Sequence, residues 1–328
     1  MCFIFLFVHD VNDTWGYVFA VAAPFFINSI LVWAFVHRYV DFEMPTWHEM
    51  LKHLKPCLLL FIPVIATSLY TLLDKVMLGA MTDMNQTGLY DYSEKISKMP
   101  MAIITALGAV VLPKMATVMA TGKIEEGKKL VSATMWFMES CALALMFGII
   151  AVAPEFVPVF FGPGYSECVR LMSILSLIIP LVCATNVIGV QYMVPTHHDK
   201  EFTVSVLIGA VVNVAINLYA LPRYGALGAS IATVAAEFSV LAAQSIMVRG
   251  ELDLIGSLRG AIPFLLMGLG MLVIIRLIAS LFGTLGLPTA ATLVVEACVG
   301  SMFYLVVSLT WSKVTSNEYF KRLFPRFA

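Results

Sequence analysis

The stretch GAVVNVAINLYALPRYG, residues 209–225, sets Asn213 and Asn217 four positions apart in sequence otherwise suited to lipid. A carboxamide taken out of water without a partner costs free energy, so two of them one helical turn apart need a reason. The following segment carries a second pair at the same spacing, Thr233 and Glu237, and an earlier segment carries Asp74. Residues four apart share one helix face, and the segments on either side of the tight turn PRYGALG run antiparallel, so the two faces can meet. Gly225, Ala229 and Thr233 add a row of small residues that lets the backbones approach closely. Amide, hydroxyl and carboxylate oxygens gathered in this way suit a hard monovalent or divalent cation, or a shuttled proton. The asparagines would serve equally as hydrogen-bonding glue between helices, typically worth about 1 kcal/mol or less. On pattern alone both readings stand. Asp74 favours the ion site, because a carboxylate is a costly way to make a packing contact, with the neighbouring Lys75 as its alternative partner.

The elements that hold these residues follow from composition. The chain is 60% hydrophobic and 12% charged, with a mean hydropathy of +0.91, which is the balance of an integral membrane protein. A formal net charge of −1 gives no case for nucleic acid as a partner. A bilayer core takes roughly 20 apolar residues per helix. Such runs lie near 15–36, 57–80, 89–112, 131–153, 168–194, 202–221, 226–248, 260–282 and 289–311. The expected fold is therefore an all-α polytopic membrane protein with about nine full transmembrane helices. The opening MCFIFLFV is too short to cross and reads as the end of a further helix, an N-terminal stub. Pro63, Pro100 and Pro180 mark expected bends.

Sidedness follows from the cations. Arg38, Lys52, Lys55, Lys114, Lys123, Lys128, Lys129, Lys200, Arg249, Arg259, Lys313, Lys321, Arg322 and Arg326 fall in alternate loops and the C-terminal tail, whereas the intervening loops hold only Arg223. The asymmetry places those loops and the C-terminus in the cytoplasm. Between the first two spans, PTWHEMLKHLKP sets Trp47, Met50, Leu51 and Leu54 on one helical face, the spacing of a short helix in the cytoplasmic interface. Counting in from the outer end of each helix at about 1.5 Å per residue puts Asp74 about six residues deep, Asn217 about five, Thr233 about seven and Asn213 about nine. Side chains from three helices thus share one layer in the outer half of the membrane.

Other polar groups give less. Six cysteines show no C-x-x-C pair and sit mostly in apolar runs, where they pack as small hydrophobes. His197 and His198 lie beside Asp199 with nothing spaced to complete a zinc site. Glu94 and Lys98 have the spacing of a helical salt bridge, and Lys95 and Lys98 would alternatively draw an anionic substrate into a water-filled cavity. Glu139, Arg276 and Glu296 stand in other spans without a partner that the sequence names.

The segments LDKVMLGAMTDMNQTGLYDYSEKI (73–96), FGPGYSECVRLMSILS (161–176) and VPTHHDKEFTVSVLIGAVVNVAINLYALPRYGALGASIATVAAE (194–237), taken in order, resemble the C-terminal half of bacterial polysaccharide flippases. These are the O-antigen and capsule-type transporters of the multidrug/oligosaccharidyl-lipid/polysaccharide exporter superfamily. The resemblance spans essentially the whole chain and implies the second lobe of a two-lobed exporter with part of the first. Residues 1–40 would end a truncated first lobe, 41–56 form a cytoplasmic linker with the interfacial helix, 57–248 a six-helix second lobe, 249–311 two additional spans and 312–328 a basic cytoplasmic tail.

The resemblance further implies transport of undecaprenyl-pyrophosphate-linked oligosaccharide across the bacterial plasma membrane by cation-coupled alternating access, with no catalysis and no cofactor beyond a coupling sodium ion or proton. In the related lipid II flippases a sodium site uses an aspartate, a polar pair four apart and a threonine, which match Asp74, Asn213 with Asn217, and Thr233. The second member of the pair is acidic there and Asn217 here, which lowers the charge of the site. Lys95 and Lys98 are the corresponding candidates for attracting the pyrophosphate. Implied partners are the lipid-linked oligosaccharide, membrane lipids, and a polysaccharide polymerase with its chain-length machinery. The competing readings are a multidrug cation antiporter of the same superfamily, a membrane-embedded polymerase or ligase, and an inactive fragment.

Overall fold

A computed structural model of the chain describes residues 14–36 and 46–314. The expected N-terminal stub, Arg38 and the basic tail beyond Val314 lie outside the described residues, and Lys55 and Pro63 outside those whose side chains are described. Two compact units divide between Pro56 and Cys57. The first contains α1, Thr14–Val36, an apolar helix with Pro24 inside it. The next helix, α2, is a single element over Trp47–Met81. Its start is fixed by Thr46 and Glu49, whose carboxylate accepts from the Thr46 amide at 2.9 Å and hydroxyl at 2.7 Å, one half of a capping box. Those two bonds hold the Glu49 carboxyl below its usual value.

From Cys57 onward the second unit is built of helices alone among the described residues. After α2 come α3 (Met84–Lys98), α4 (Met101–Ala120), α5 (Ile124–Phe160), α6 (Glu167–Leu175) and α7 (Ile178–Thr185). A π-helical stretch, Asn186–Met193, leads to α8 (Asp199–Tyr224), α9 (Ala226–Met247), α10 (Leu254–Thr284) and α11 (Thr289–Val314). Among the described residues seven segments are long and apolar enough to cross a membrane, and α1 contains a shorter apolar helix, Ala22–Trp33. This is the polytopic all-α fold expected, in rough agreement with the expected count of spans.

The boundaries differ where proline intervenes. The run 89–112, expected as one span, divides into α3 and α4 around Met99 and Pro100. Proline has no N–H to give the carbonyl one turn back, so the ladder stops there, and Met99 turns to the Lys95 and Ile96 carbonyls at 3.0 and 3.3 Å. Residues 168–194 likewise form α6, α7 and the π-helical stretch. Pro180 lies one turn beyond Ser176 and cannot bond its carbonyl, which takes the Ile179 amide at 3.0 Å instead. Two of the three expected bends are thus at breaks in the helices.

Helices α8 and α9 form the hairpin that presents the polar layer. Gly225 joins them with φ 53° and ψ −132°, a conformation costly for any residue with a Cβ. Gln86, just inside α3, accepts from the Ala226 amide at 2.9 Å and donates to Glu167 at the start of α6 at 3.3 Å. These bonds tie the α2–α3, α5–α6 and α8–α9 turns together at one end of the unit. The two backbones crowd each other at Gly228, where a Cβ would lie 2.6 Å from the Ala220 carbonyl oxygen, a backbone atom that cannot swing away. Gly228→Ala is therefore expected to destabilise by about 1–3 kcal/mol through forced separation of the helices. The check is the melting temperature in detergent, which should fall by several degrees.

Candidate functional site

The polar layer is assembled at the end of the unit that Gln86 ties together. Asp74 comes from the last turns of α2, Asn213 and Asn217 from α8, and Thr233 from α9. All four are buried, none more than 1% exposed. One Asp74 oxygen accepts from the Asn217 amide in a short hydrogen bond. The other accepts from the Thr233 hydroxyl at 2.9 Å and the Tyr90 hydroxyl at 3.2 Å. Asn217 also donates to the Asn213 carbonyl oxygen at 3.2 Å, and Tyr90 and Thr233 are joined at 2.8 Å. Two of the expected side chains, Asn217 and Thr233, thus converge on the Asp74 carboxylate, and Asn213 is joined to it through Asn217.

The arrangement departs from expectation in three details. Tyr90, from α3, was not singled out by its sequence, yet its fully buried hydroxyl closes the layer. The available signal was spacing: Tyr90, Ser93, Glu94 and Ser97 recur at three- and four-residue intervals and all are buried. Glu237, one turn beyond Thr233, is half-buried and stands outside the bonds around Asp74. Lys75 does not pair with Asp74. Consecutive helical residues point about 100° apart, and Lys75 reaches Asp91 at 2.6 Å and Glu94 at 3.0 Å.

Lys75 heads a chain of ion pairs along α3. Lys95 meets Asp91 at 2.6 Å and Lys98 meets Glu94 at 2.6 Å, so three lysines share two carboxylates. The surplus positive charge is most open at Lys95, whose side chain is 65% exposed, while Glu94 is 6% exposed. The expected Glu94–Lys98 bridge is present, and the two candidate lysines are held at one end of an otherwise balanced row.

Two features decide what the Asp74 layer can do. Among the described residues no three His, Cys, Asp or Glu side chains converge on a metal-sized space. One carboxylate with neutral amide and hydroxyl oxygens is a donor set for a monovalent rather than a divalent ion. Second, the Asn217 carbonyl oxygen and the Asn213 amide nitrogen are buried without a hydrogen-bond partner. Rotation of the Asn217 carboxamide would bring its oxygen against the Asp74 carboxylate, which is favourable when a cation lies between them. The layer therefore holds one ligand oxygen, that of Asn217, that its internal bonds leave unused.

Among the ionisable groups that sequence left alone, Arg276 on α10 has a partner: its guanidinium meets both oxygens of Glu155 on α5, at 2.7 and 2.8 Å, and donates to the Ala151 carbonyl at 2.8 Å. Glu155 lies just past the expected end of its span. Beyond the C-terminal end of the π-helical stretch, His198 faces Glu251 at 3.4 Å and Thr196 at 2.8 Å, and Tyr192 donates to Glu251 at 2.6 Å.

Comparison with known proteins gives concordant results. A family model described as "Polysaccharide biosynthesis protein" matches residues 13–170. A protein of Escherichia coli (strain K12) named as an O-antigen transporter is 20% identical over 249 residues, 75% of this chain and 60% of its own length. A protein of Haloferax volcanii named as the flippase AglR is 22% identical over 167 residues, 50% of this chain and 35% of its own. Among solved structures, the lipid II flippase MurJ in an inward closed conformation has the same fold, with a TM-score of 0.68 at 15% identity over 89% of this chain and 61% of that one. The chain thus spans about three-fifths or less of the lengths of these relatives. They are named for transport rather than for catalysis.

Proposed function

We propose that the chain is a polysaccharide flippase of the multidrug/oligosaccharidyl-lipid/polysaccharide exporter superfamily and that it moves a lipid-linked oligosaccharide across the membrane with a monovalent cation as the coupling ion. The observation that carries this reading is the buried layer in which Asn213, Asn217 and Thr233 surround Asp74. A carboxylate in a membrane span is costly, and coupling is the use that repays retaining it. The ion sits between α2, α8 and α9, so its arrival favours the conformation in which those helices are drawn together. Differential affinity of that kind is what lets an ion gradient shift a transporter between inward- and outward-facing states.

The substrate proposed is undecaprenyl-pyrophosphate-linked oligosaccharide in a bacterial plasma membrane. Its pyrophosphate is attracted by the surplus charge of the Lys75–Asp91–Lys95 and Glu94–Lys98 row, with Lys95 and Lys98 as the exposed members. The positive loops and C-terminus face the cytoplasm, where such lipids are charged with sugar. A polymerase with its chain-length machinery would then receive the product. Glu237 is proposed as an outer ligand, reached only on closure.

The test is reconstitution of the chain in proteoliposomes with a fluorescent undecaprenyl-pyrophosphate oligosaccharide. Flipping is read by protection of the glycan from an impermeant glycosidase. Sodium-stimulated protection is the expected result; protection indifferent to every cation gradient, or none above empty liposomes, overturns the proposal. Lys95→Gln with Lys98→Gln is expected to weaken substrate binding by roughly one order of magnitude at low salt, and by less at high salt because exposed charges are screened. An unchanged apparent affinity would remove the two lysines from the substrate path.

A further inference from the structure

Away from the Asp74 layer, a cavity of about 530 Å³ opens between α5, α10 and α11. Its walls are mainly aliphatic, with Ala144, Leu145 and Ile149 from α5 and Ile275 from α10 facing Gly300 and Tyr304 of α11. The volume falls within the range that takes a drug-sized molecule, roughly 300–1,000 Å³. One carboxylate stands in this wall. Glu296 is fully buried, and both of its oxygens lack a hydrogen-bond partner. The nearby cation does not answer it, because Arg276 spends its guanidinium on both oxygens of Glu155 and on the Ala151 carbonyl. Two carboxylates and one guanidinium leave a single negative charge uncompensated beside an apolar hollow. A carboxyl so placed either takes up a proton or stays ionised by drawing in a counter-charge, and the hollow beside it leaves room for the second.

We infer that this cavity binds a lipophilic ammonium ion, with its nitrogen on Glu296 and its apolar body along α5 and α11. The chemistry specifies the ligand class: one positive nitrogen with N–H groups to donate to the carboxylate, and a hydrocarbon body of up to about ten to fifteen heavy atoms to fill the remaining volume. Tyr304 sets one end of the cavity, its hydroxyl being held by the Ser140 carbonyl at 2.7 Å. Ala297, exposed at the rim, marks the way in. An ammonium of this kind is carried equally by a free amphiphile and by the headgroup of an aminolipid.

The test uses the full chain in phosphatidylcholine nanodiscs, with empty nanodiscs as the blank. Calorimetric titration with 4-phenylbutylamine is compared with 4-phenylbutanol, its neutral counterpart. The amine is expected to bind at least tenfold more tightly than the alcohol. Glu296→Gln should bring the amine down to the affinity of the alcohol, and Ala297→Phe, which fills the rim without touching the carboxylate, should weaken both. Equal amine binding by the protein and by Glu296→Gln overturns the inference, as does amine binding no greater than that of the blank. Should Glu296→Gln fail to fold, the amine-to-alcohol ratio and the Ala297→Phe variant still decide the matter. In nanodiscs containing phosphatidylethanolamine, weaker amine binding would assign the site to a lipid headgroup and unchanged binding to a free amphiphile, either of which upholds it. No step of the experiment depends on transport or on sodium, so its failure would leave the proposed flippase function untouched.

Discussion

Replacing Asp74 by Asn is expected to abolish a sodium-specific rise in melting temperature that the unaltered chain shows in detergent. Asn has nearly the same shape, so packing between α2, α8 and α9 is retained while the only charge among the bonded side chains of the layer is removed. In the native protein one Asp74 oxygen is held by Asn217 and the other by Thr233 and Tyr90. A cation entering this set would exchange one Asn217 N–H bond for a full ionic contact. With sodium at one hundred times its dissociation constant, the stabilisation is about 2.7 kcal/mol. At roughly 2–4 °C per kcal/mol for domains of this order of size, that is a shift of several degrees. Asn213→Ala should reduce the shift as well, since it removes one neutral oxygen ligand.

Controls separate coupling from glue. Tyr90→Phe removes a hydroxyl from the edge of the layer; it should lower stability by about 1 kcal/mol and leave the sodium shift in place. Potassium and choline at equal ionic strength set the non-specific baseline. A sodium shift that survives Asp74→Asn would place the ion elsewhere. An equal loss of folded protein in Asp74→Asn and Asn213→Ala, with no shift in the parent, would leave the layer as interhelical hydrogen bonding.

That layer was legible in sequence because the solvent makes it so. In a membrane span every unpaired polar group is conspicuous, and helical spacing then says which of them share a face. Asp74, Asn213, Asn217 and Thr233 could be set at one depth by counting alone. What counting could not supply was rotation about each helix axis: Glu237 is on the same face as Thr233 by spacing but lies outside the bonded group, and Lys75, adjacent to Asp74, belongs to another network. Tyr90 was hidden for a different reason. Its ring suits an apolar face, and only a tertiary neighbour reveals that the hydroxyl is in use. Helix ends were misjudged where proline acts. Pro100 and Pro180 break runs that hydrophobicity alone would join, whereas α5 continues through Pro154 and Pro158 to Phe160. That continuation places Glu155, just past the expected end of the span, inside the helix.

Breaking the Arg276–Glu155 pair is the second large effect. Arg276→Met is expected to destabilise the chain by roughly 2–3 kcal/mol, somewhat less than the approximately 3–5 kcal/mol for removing one partner of a fully buried pair, because Arg276 is 38% exposed. Glu155 is only 14% exposed and would be left as an unpaired carboxylate between α5 and α10. The Ala151 carbonyl, next to the Ile150 carbonyl that Pro154 cannot bond, would also lose the bond from Arg276. The apolar contacts that dock α10 and α11 on α5, including Trp136 against Phe264 at 5.1 Å between ring centres, remain in the variant. Loss should therefore begin locally, with the last two helices, and hydrogen exchange should report it there before the α8–α9 hairpin. The pair is separable from its charges by one further change. Arg276→Met combined with Glu155→Leu removes the orphaned carboxylate, and most of the lost stability should return, since a well-packed apolar pair often equals a buried ionic one. Additive destabilisation in the double variant would instead mean that Arg276 acts mainly through the Ala151 carbonyl, making the ionic contact secondary to the repair of a proline-weakened turn.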